Sequence, residues 1–143
     1  MPVPGTDSTV TGVAIVTGGA CGVGRDLVDA LAGRGFAVVL VYLRDRRRAD
    51  AVVEGVRTAG RAALAVRADV GDSLDVERVF DETNCAFGRV DIVVHAAPRA
   101  ADVLFEHAER RLRWGGATLT VSGTDEVADA LASIDRWHSA TAR

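Results

Sequence analysis

An apolar run that stops at a threonine, followed by spaced glycines and then a helical pattern, constrains this chain more than any other feature. The stretch is Ala14-Ile15-Val16-Thr17-Gly18-Gly19-Ala20-Cys21-Gly22-Val23-Gly24-Arg25. It reads as a strand, a tight glycine turn and a helix start. Backbone N–H groups and the positive end of a helix dipole then face one small volume, which suits a pyrophosphate. In this reading Gly18 turns the chain, Gly22 lets the backbone approach phosphate, and Gly24 lets the helix pack on the sheet.

The rest of the chain repeats this alternation. Val13–Val16 is a first strand, and Val23–Arg34 a helix with Val23, Leu27, Val28 and Leu31 on one face. Phe36–Leu43 is nearly all apolar, as a strand buried on both faces should be. Arg46–Ala59 is a second helix stopped by Gly60, and Ala62–Val66 a third strand. Leu74–Phe87 is a third helix with Ser73 as N-cap and Gly88 as stop, and Val90–Ala97 a fourth strand. Beyond Pro98, the pattern predicts a helix over Asp102–Trp114, a short strand at Ala117–Val121 and a helix over Thr124–Ser139 capped by Thr124. Connections of this length imply parallel strands with right-handed crossovers. The expected fold is α/β, a Rossmann-like doubly wound parallel sheet of about five strands with helices on both faces. Residues 1–10 read as a flexible tail rich in Pro, Gly, Ser and Thr, and residues 11–143 as a single domain.

Composition narrows the partners. A net charge of −3 argues against nucleic acid, and no apolar run approaches membrane-spanning length. Two cysteines, Cys21 and Cys85, suit reduced thiols in the cytoplasm. The sequence contains no lysine, which removes any mechanism that needs one.

The Thr-Gly-x-x-x-Gly-x-Gly spacing resembles that of the short-chain dehydrogenase/reductase family. Ala68-Asp69-Val70 follows the third strand, where the family places an aspartate that contacts adenine. Gly88-Arg89-Val90-Asp91-Ile92-Val93-Val94-His95-Ala96-Ala97 is similar to the family's fourth strand. Its ending, His95-Ala96-Ala97-Pro98, departs from the common Asn-Asn-Ala-Gly and is closer to the ketoreductase domains of polyketide synthases. The similarity runs from about Gly12 to Ala97. It implies a dinucleotide held by Thr17, Gly18, Gly19, Gly22, Val23, Gly24, Arg25, Arg44, Asp69, Val70, Ala96 and Ala97.

Cofactor preference is read at the end of strand two, Tyr42-Leu43-Arg44-Asp45-Arg46-Arg47-Arg48. An acidic residue there holds the 2′-hydroxyl of NAD, whereas an arginine accommodates the 2′-phosphate of NADP. Arg25 and Arg44 favour NADP(H), Arg46–Arg48 read as a solvated helix start, and Asp45 keeps NAD(H) open.

The family's reductases use a Tyr-x-x-x-Lys pair and a serine for proton handling. Here the sole tyrosine is Tyr42, on strand two, and Ser122 falls near the serine position. An unassisted tyrosine, with a pKa near 10, exchanges protons poorly at neutral pH. Judged against the family, the chain is truncated at its C-terminal end, where the catalytic helix, later strands and substrate lid would continue. His95 is a candidate acid or base, and Cys21 a candidate redox thiol at the helix start. His107 and His138 read as surface residues, and Trp114 and Trp137 as candidate interface residues. No metal-ligand spacing is present.

Three functions follow as expectations. One is an NADP(H)-binding, degenerate or partner-dependent reductase. The second is a non-catalytic subunit in a homo- or hetero-oligomer, including one with a full-length family member. The third is a lyase, isomerase or cyclase with His95 as base. A reading frame without selected function is the remaining alternative.

Overall fold

A computed structural model describes residues 10–20, 22–96, 101–113 and 115–141. Cys21, Ala97, Pro98 and Trp114 lie outside the described residues. Five strands and five helices alternate: β1 (Val13–Thr17), α1 (Gly22–Gly33), β2 (Ala37–Tyr42), α2 (Arg46–Thr58), β3 (Ala63–Arg67), α3 (Ser73–Phe87), β4 (Ile92–His95), α4 (Asp102–Arg111), β5 (Ala117–Thr120) and α5 (Asp125–Thr141).

The strands form one sheet in the order β3-β2-β1-β4-β5, and every adjacent pair is parallel. The unbroken apolar runs have a direct cause. Ala14, Val16, Val38, Leu40, Ile92 and Val94 point into a core shared with α1, α2 and α5. Ile15, Val39, Val41 and Val93 point to the opposite core, under α3 and α4. A central strand buried on both faces has no polar position to alternate with.

The helix ends correct the sequence reading in three places. Asp72, not Ser73, caps α3: its carboxylate accepts from the N–H groups of Leu74 and Asp75. A carboxylate one residue earlier reaches the orphan N–H groups that Ser73, already helical, cannot. The helix expected to reach Trp114 ends at Arg111, because Leu112 turns extended (φ −68°, ψ 144°) and packs against the α3–α4 core. The Arg113 N–H then bonds the Val90 carbonyl at 2.7 Å, and Gly116 lies so close to β4 that a Cβ there would sit 2.6 Å from the Asp91 carbonyl oxygen. At the start of α5, Thr124 makes no side-chain cap among the described residues; the Glu126 carboxylate instead accepts from the Ser122 N–H at 2.9 Å.

After β5 the chain crosses to the face that carries α1. Ala130 and Ile134 of α5 join the core beneath α1, Trp137 packs on Phe36 with ring centroids 6.1 Å apart, and Arg34 pairs with Asp135 at 2.9 Å. Trp137 also donates to the Gly115 carbonyl at 2.6 Å, so this tryptophan serves the chain's own packing. A buried carboxylate ties down the amino edge of the sheet. Asp91, 2% exposed, accepts from the Val13 N–H and from Arg89 Nε, each at 2.8 Å.

Candidate functional site

All parallel strands end at one edge, and the chain switches direction there: β1 leads to β2 on one side, while β4 lies against β1 on the other. Crevices of this kind form outside the carboxyl ends of strands. The register places Thr17 beside Val41 and His95, Tyr42 beside Arg67, and His95 beside Thr120. The glycine turn, Arg44, Asp69-Val70, Ala96 and Ser122 each follow a strand at this edge.

The glycine turn is built as its spacing predicts. Gly18 has φ +70° and donates its N–H to the Val41 carbonyl at 3.0 Å. Gly24 packs the first turn of α1 onto that turn, since a Cβ at Gly24 would stand 1.9 Å from the Gly18 oxygen. Gly22 differs: at φ +59°, its absent Cβ would meet nothing within 4 Å. Among the described residues, apart from its chain neighbours, nothing occupies the space that this Cβ would take at the helix start. Gly19 is closed in by Leu40 and Val28, and Val23 packs against the same core.

Charge completes the picture. The first turn of α1 holds no acidic residue, whereas α2 has Asp45 as N-cap, and α3, α4 and α5 carry Asp or Glu in their first turns. The dipole of α1 alone is left without a carboxylate of its own. Arg25 and Arg44 are exposed and have no ion-pair partner among the described residues. Asp45 is engaged: its carboxylate accepts from the Arg48 N–H at 3.1 Å and pairs with the Arg48 guanidinium at 3.2 Å. Arg46 pairs with Asp50 at 3.6 Å, so Arg46 and Arg48 sit in the solvated helix start that the sequence predicts.

At this edge of the sheet, Thr17 and His95 meet. Thr17 Oγ1 lies 2.6 Å from His95 Nδ1 and accepts from the Ala96 N–H at 3.3 Å. Both side chains are buried, Thr17 at 1% and His95 at 3% exposure, and Phe105 lies edge-on to the imidazole at 6.1 Å. The sequence singled out both residues without pairing them; the available signal was that each ends a strand in a parallel register. Asp69 folds its loop: its carboxylate accepts from the Gly71 N–H at 2.9 Å, and its own N–H bonds Asp75 at 2.9 Å. Val70 is buried at 6% exposure. Ser122 is exposed at the end of β5, one residue past the Val121 N–H that bonds the His95 carbonyl.

One expectation is overturned. His107 is not a surface residue: it is 8% exposed, lies 2.9 Å from Ser73 Oγ and stacks on Phe80 at 6.5 Å. The polar residues around it on α4 gave it a surface context, but α3 packs over it. His138 is exposed as expected. Among the described residues no cluster of three or more His, Cys, Asp or Glu could hold a metal ion, and no helix is long and apolar enough to cross a membrane.

A doubly wound parallel sheet with a glycine turn at its switch point defines an α/β domain of the Rossmann type. The family model described as short chain dehydrogenase matches residues 12–117, and the chain belongs to that family. It is 41% identical over 83 residues to an uncharacterized oxidoreductase of Methylorubrum extorquens, covering 58% of this chain and 34% of that protein. It is 40% identical over 95 residues to versicolorin reductase 1 of Aspergillus parasiticus, covering 66% of this chain and 35% of that protein. A short chain dehydrogenase from Burkholderia cenocepacia, solved in complex with NADP, superposes with a TM-score of 0.70 at 27% identity, over 92% of this chain and 67% of that one. The chain thus spans about a third of the length of these two curated relatives.

Proposed function

We propose that this chain binds NADP(H) at the carboxyl edge of its sheet, as the dinucleotide-binding part of an oxidoreductase-related protein. The observation that carries this reading is the start of α1: a helix dipole without a carboxylate of its own, beside the space that Gly22 leaves and Gly24 shapes. The pyrophosphate takes that position. Arg44 and Arg25 receive the 2′-phosphate, a choice supported by Asp45 being committed to capping α2 and pairing with Arg48. Thr17, Gly18, Gly19 and Val23 shape the turn, Asp69 and Val70 line the adenine end, and Ala96 and Ala97 the nicotinamide end.

A bound nicotinamide supplies a hydride donor or acceptor. The chain's own part is to hold it, because no lysine is present and Tyr42, the sole tyrosine, stands at the end of β2 packed against the core. The reading is therefore a reductase that is degenerate or dependent on a partner for proton transfer. His95 acts here as a buried brace between β1 and β4, and Ser122 is the weaker candidate for chemistry. The exposed, unpaired thiol of Cys85 suits a reducing compartment such as the cytoplasm.

Calorimetric titration with NADPH and with NADH tests the proposal. NADPH binds saturably and more tightly than NADH, and Arg44→Ala narrows the gap at least about tenfold, equivalent to about 1.4 kcal/mol. Saturable binding of neither dinucleotide, or a preference for NADH, overturns it.

A further inference from the structure

The Asp69-Val70 turn is neither strand nor helix, yet its main chain is held from two sides. On the sheet side, the Ala68 N–H donates to the Tyr42 carbonyl at 2.9 Å. On the other side, α3 reaches back over the turn. Val76, Val79 and Phe80 of α3 are at most 2% exposed, in the same core that holds Ala68 and Val70, so α3 is a rigid reference for the turn. Asp75 and Arg78 stand three residues apart on one face of α3. The Asp75 carboxylate accepts from the Asp69 N–H at 2.9 Å, a charge-assisted bond to the main chain. Arg78 donates to the Arg67 carbonyl at 2.6 Å and lies 3.6 Å from Asp75. Two consecutive peptides are thus pinned: the one joining Arg67 to Ala68 between Tyr42 and Arg78, and the next one by Asp75.

We propose, on the basis of the NADP(H) reading, that Asp75, backed by Arg78, is the positioning residue for the adenine end of the dinucleotide site. An acidic side chain at the third position of a helix ordinarily reaches back to the N–H of the cap residue. Here the cap is Asp72, and its N–H is already taken by the Asp69 carbonyl at 3.0 Å. Asp75 reaches past the cap to the Asp69 N–H instead, so its carboxylate sets the turn rather than the helix end. The Asp69 N–H belongs to the peptide that hands β3 over to the turn, and this bond fixes the direction in which Asp69 and Val70 leave the sheet. Asp69 closes the turn from within, its carboxylate accepting from the Gly71 N–H at 2.9 Å. Asp75 itself does not meet the ligand; it acts through Asp69 and Val70. Without it the turn must be ordered when the dinucleotide binds, and that ordering subtracts from affinity.

Titrations with NADPH and with adenosine 2′,5′-bisphosphate, which carries the adenine end alone, test this. Asp75→Leu removes the acceptor, while Asp75→Asn keeps an oxygen that can take the Asp69 N–H. Asp75→Leu weakens both ligands at least about tenfold, and Asp75→Asn stays within about threefold of the wild type. In the leucine variant saturated with NADPH, the amide shifts of Gly18, Gly22 and Gly24 match the wild type, and those of Asp69 and Val70 do not; general damage to the fold moves both sets. Should the leucine variant misfold, Arg78→Leu, which releases the Arg67 carbonyl, decides by the same readouts with a loss of at least about threefold. An asparagine variant as weak as the leucine one overturns the proposal, and so do shifts altered equally at the glycine turn. A wild-type chain that binds both ligands, with a leucine variant that binds them as well, overturns this proposal alone. A wild-type chain that binds neither overturns the NADP(H) reading and this proposal with it.

Discussion

Alanine at Gly24 and alanine at Gly22 perturb the same turn by different physics, and their comparison separates packing from binding. At Gly24, the new Cβ stands 1.9 Å from the Gly18 oxygen, 2.5 Å from the Gly18 carbonyl carbon and 2.9 Å from Gly19 Cα. All three are main-chain atoms, so no side chain can swing aside. Reaching an ordinary contact near 3.4 Å requires the start of α1 to move by about 1.5 Å. Overpacking of this kind costs up to about 3 kcal/mol, which lowers Tm by about 6–12 °C in a domain of this size. At Gly22 there is no clash, only φ +59°; a side chain in that conformation costs about 1–2 kcal/mol, or about 2–8 °C. That same Cβ enters the space assigned to the pyrophosphate. Thermal melts and NADPH titrations of both variants read the two effects. Gly24→Ala loses stability and binding together, while Gly22→Ala keeps most of its stability and loses binding by at least about tenfold. A Gly22→Ala variant that binds NADPH as the wild type does refutes the pyrophosphate assignment. A Gly24→Ala variant with an unchanged Tm refutes the packing argument.

Other perturbations have defined outcomes. Thr17→Val removes the hydroxyl that meets the buried His95 Nδ1; the stranded polar group costs about 1–3 kcal/mol, read by urea titration. Asp91→Ala strands the Val13 N–H and removes the ion pair of the partly exposed Arg89 at the amino edge; the loss is about 1–3 kcal/mol, with the NADPH affinity of the folded protein unchanged because the site lies at the opposite edge. Asp135 is held below the ordinary carboxylate range, chiefly by the hydrogen bond from Arg34. Its contribution is present above the ordinary carboxylate pKa and is lost as pH falls through the depressed folded value. Asp135→Asn therefore lowers Tm at pH 7 and flattens the acid side of a Tm-against-pH profile.

The sequence displayed most of the fold because central parallel strands are apolar on both faces and their helices end at glycines. Gly60 and Gly88 do so with φ of +81°. The glycine turn was legible for a similar reason, since Gly18 and Gly22 take positive φ and Gly24 lies against the Gly18 main chain. What stayed hidden depends on contacts between distant segments. His107 is buried only because α3 lies across α4, and nothing within α4 announces that neighbour. Asp91 looks like any charge before a strand until the Val13 N–H and Arg89 converge on it. The cap of α3 was misplaced by one residue because Asp72 and Ser73 are both good caps, and only the backbone decides between them. The crossing of α5 onto the α1 face rests on Ile134, Ala130 and Trp137, whose spacing fixes a helix but not the face of the sheet it covers.

The central claim is that the dinucleotide sits on the start of α1 at the switch point of the sheet. Amide chemical-shift mapping during an NADPH titration tests it most directly. The account predicts saturable shifts, largest at Gly18, Gly19, Gly22 and Gly24, with smaller ones at Arg44 and Ala96. Shifts that fail to saturate, or that cluster at the amino edge around Val13 and Asp91, contradict it.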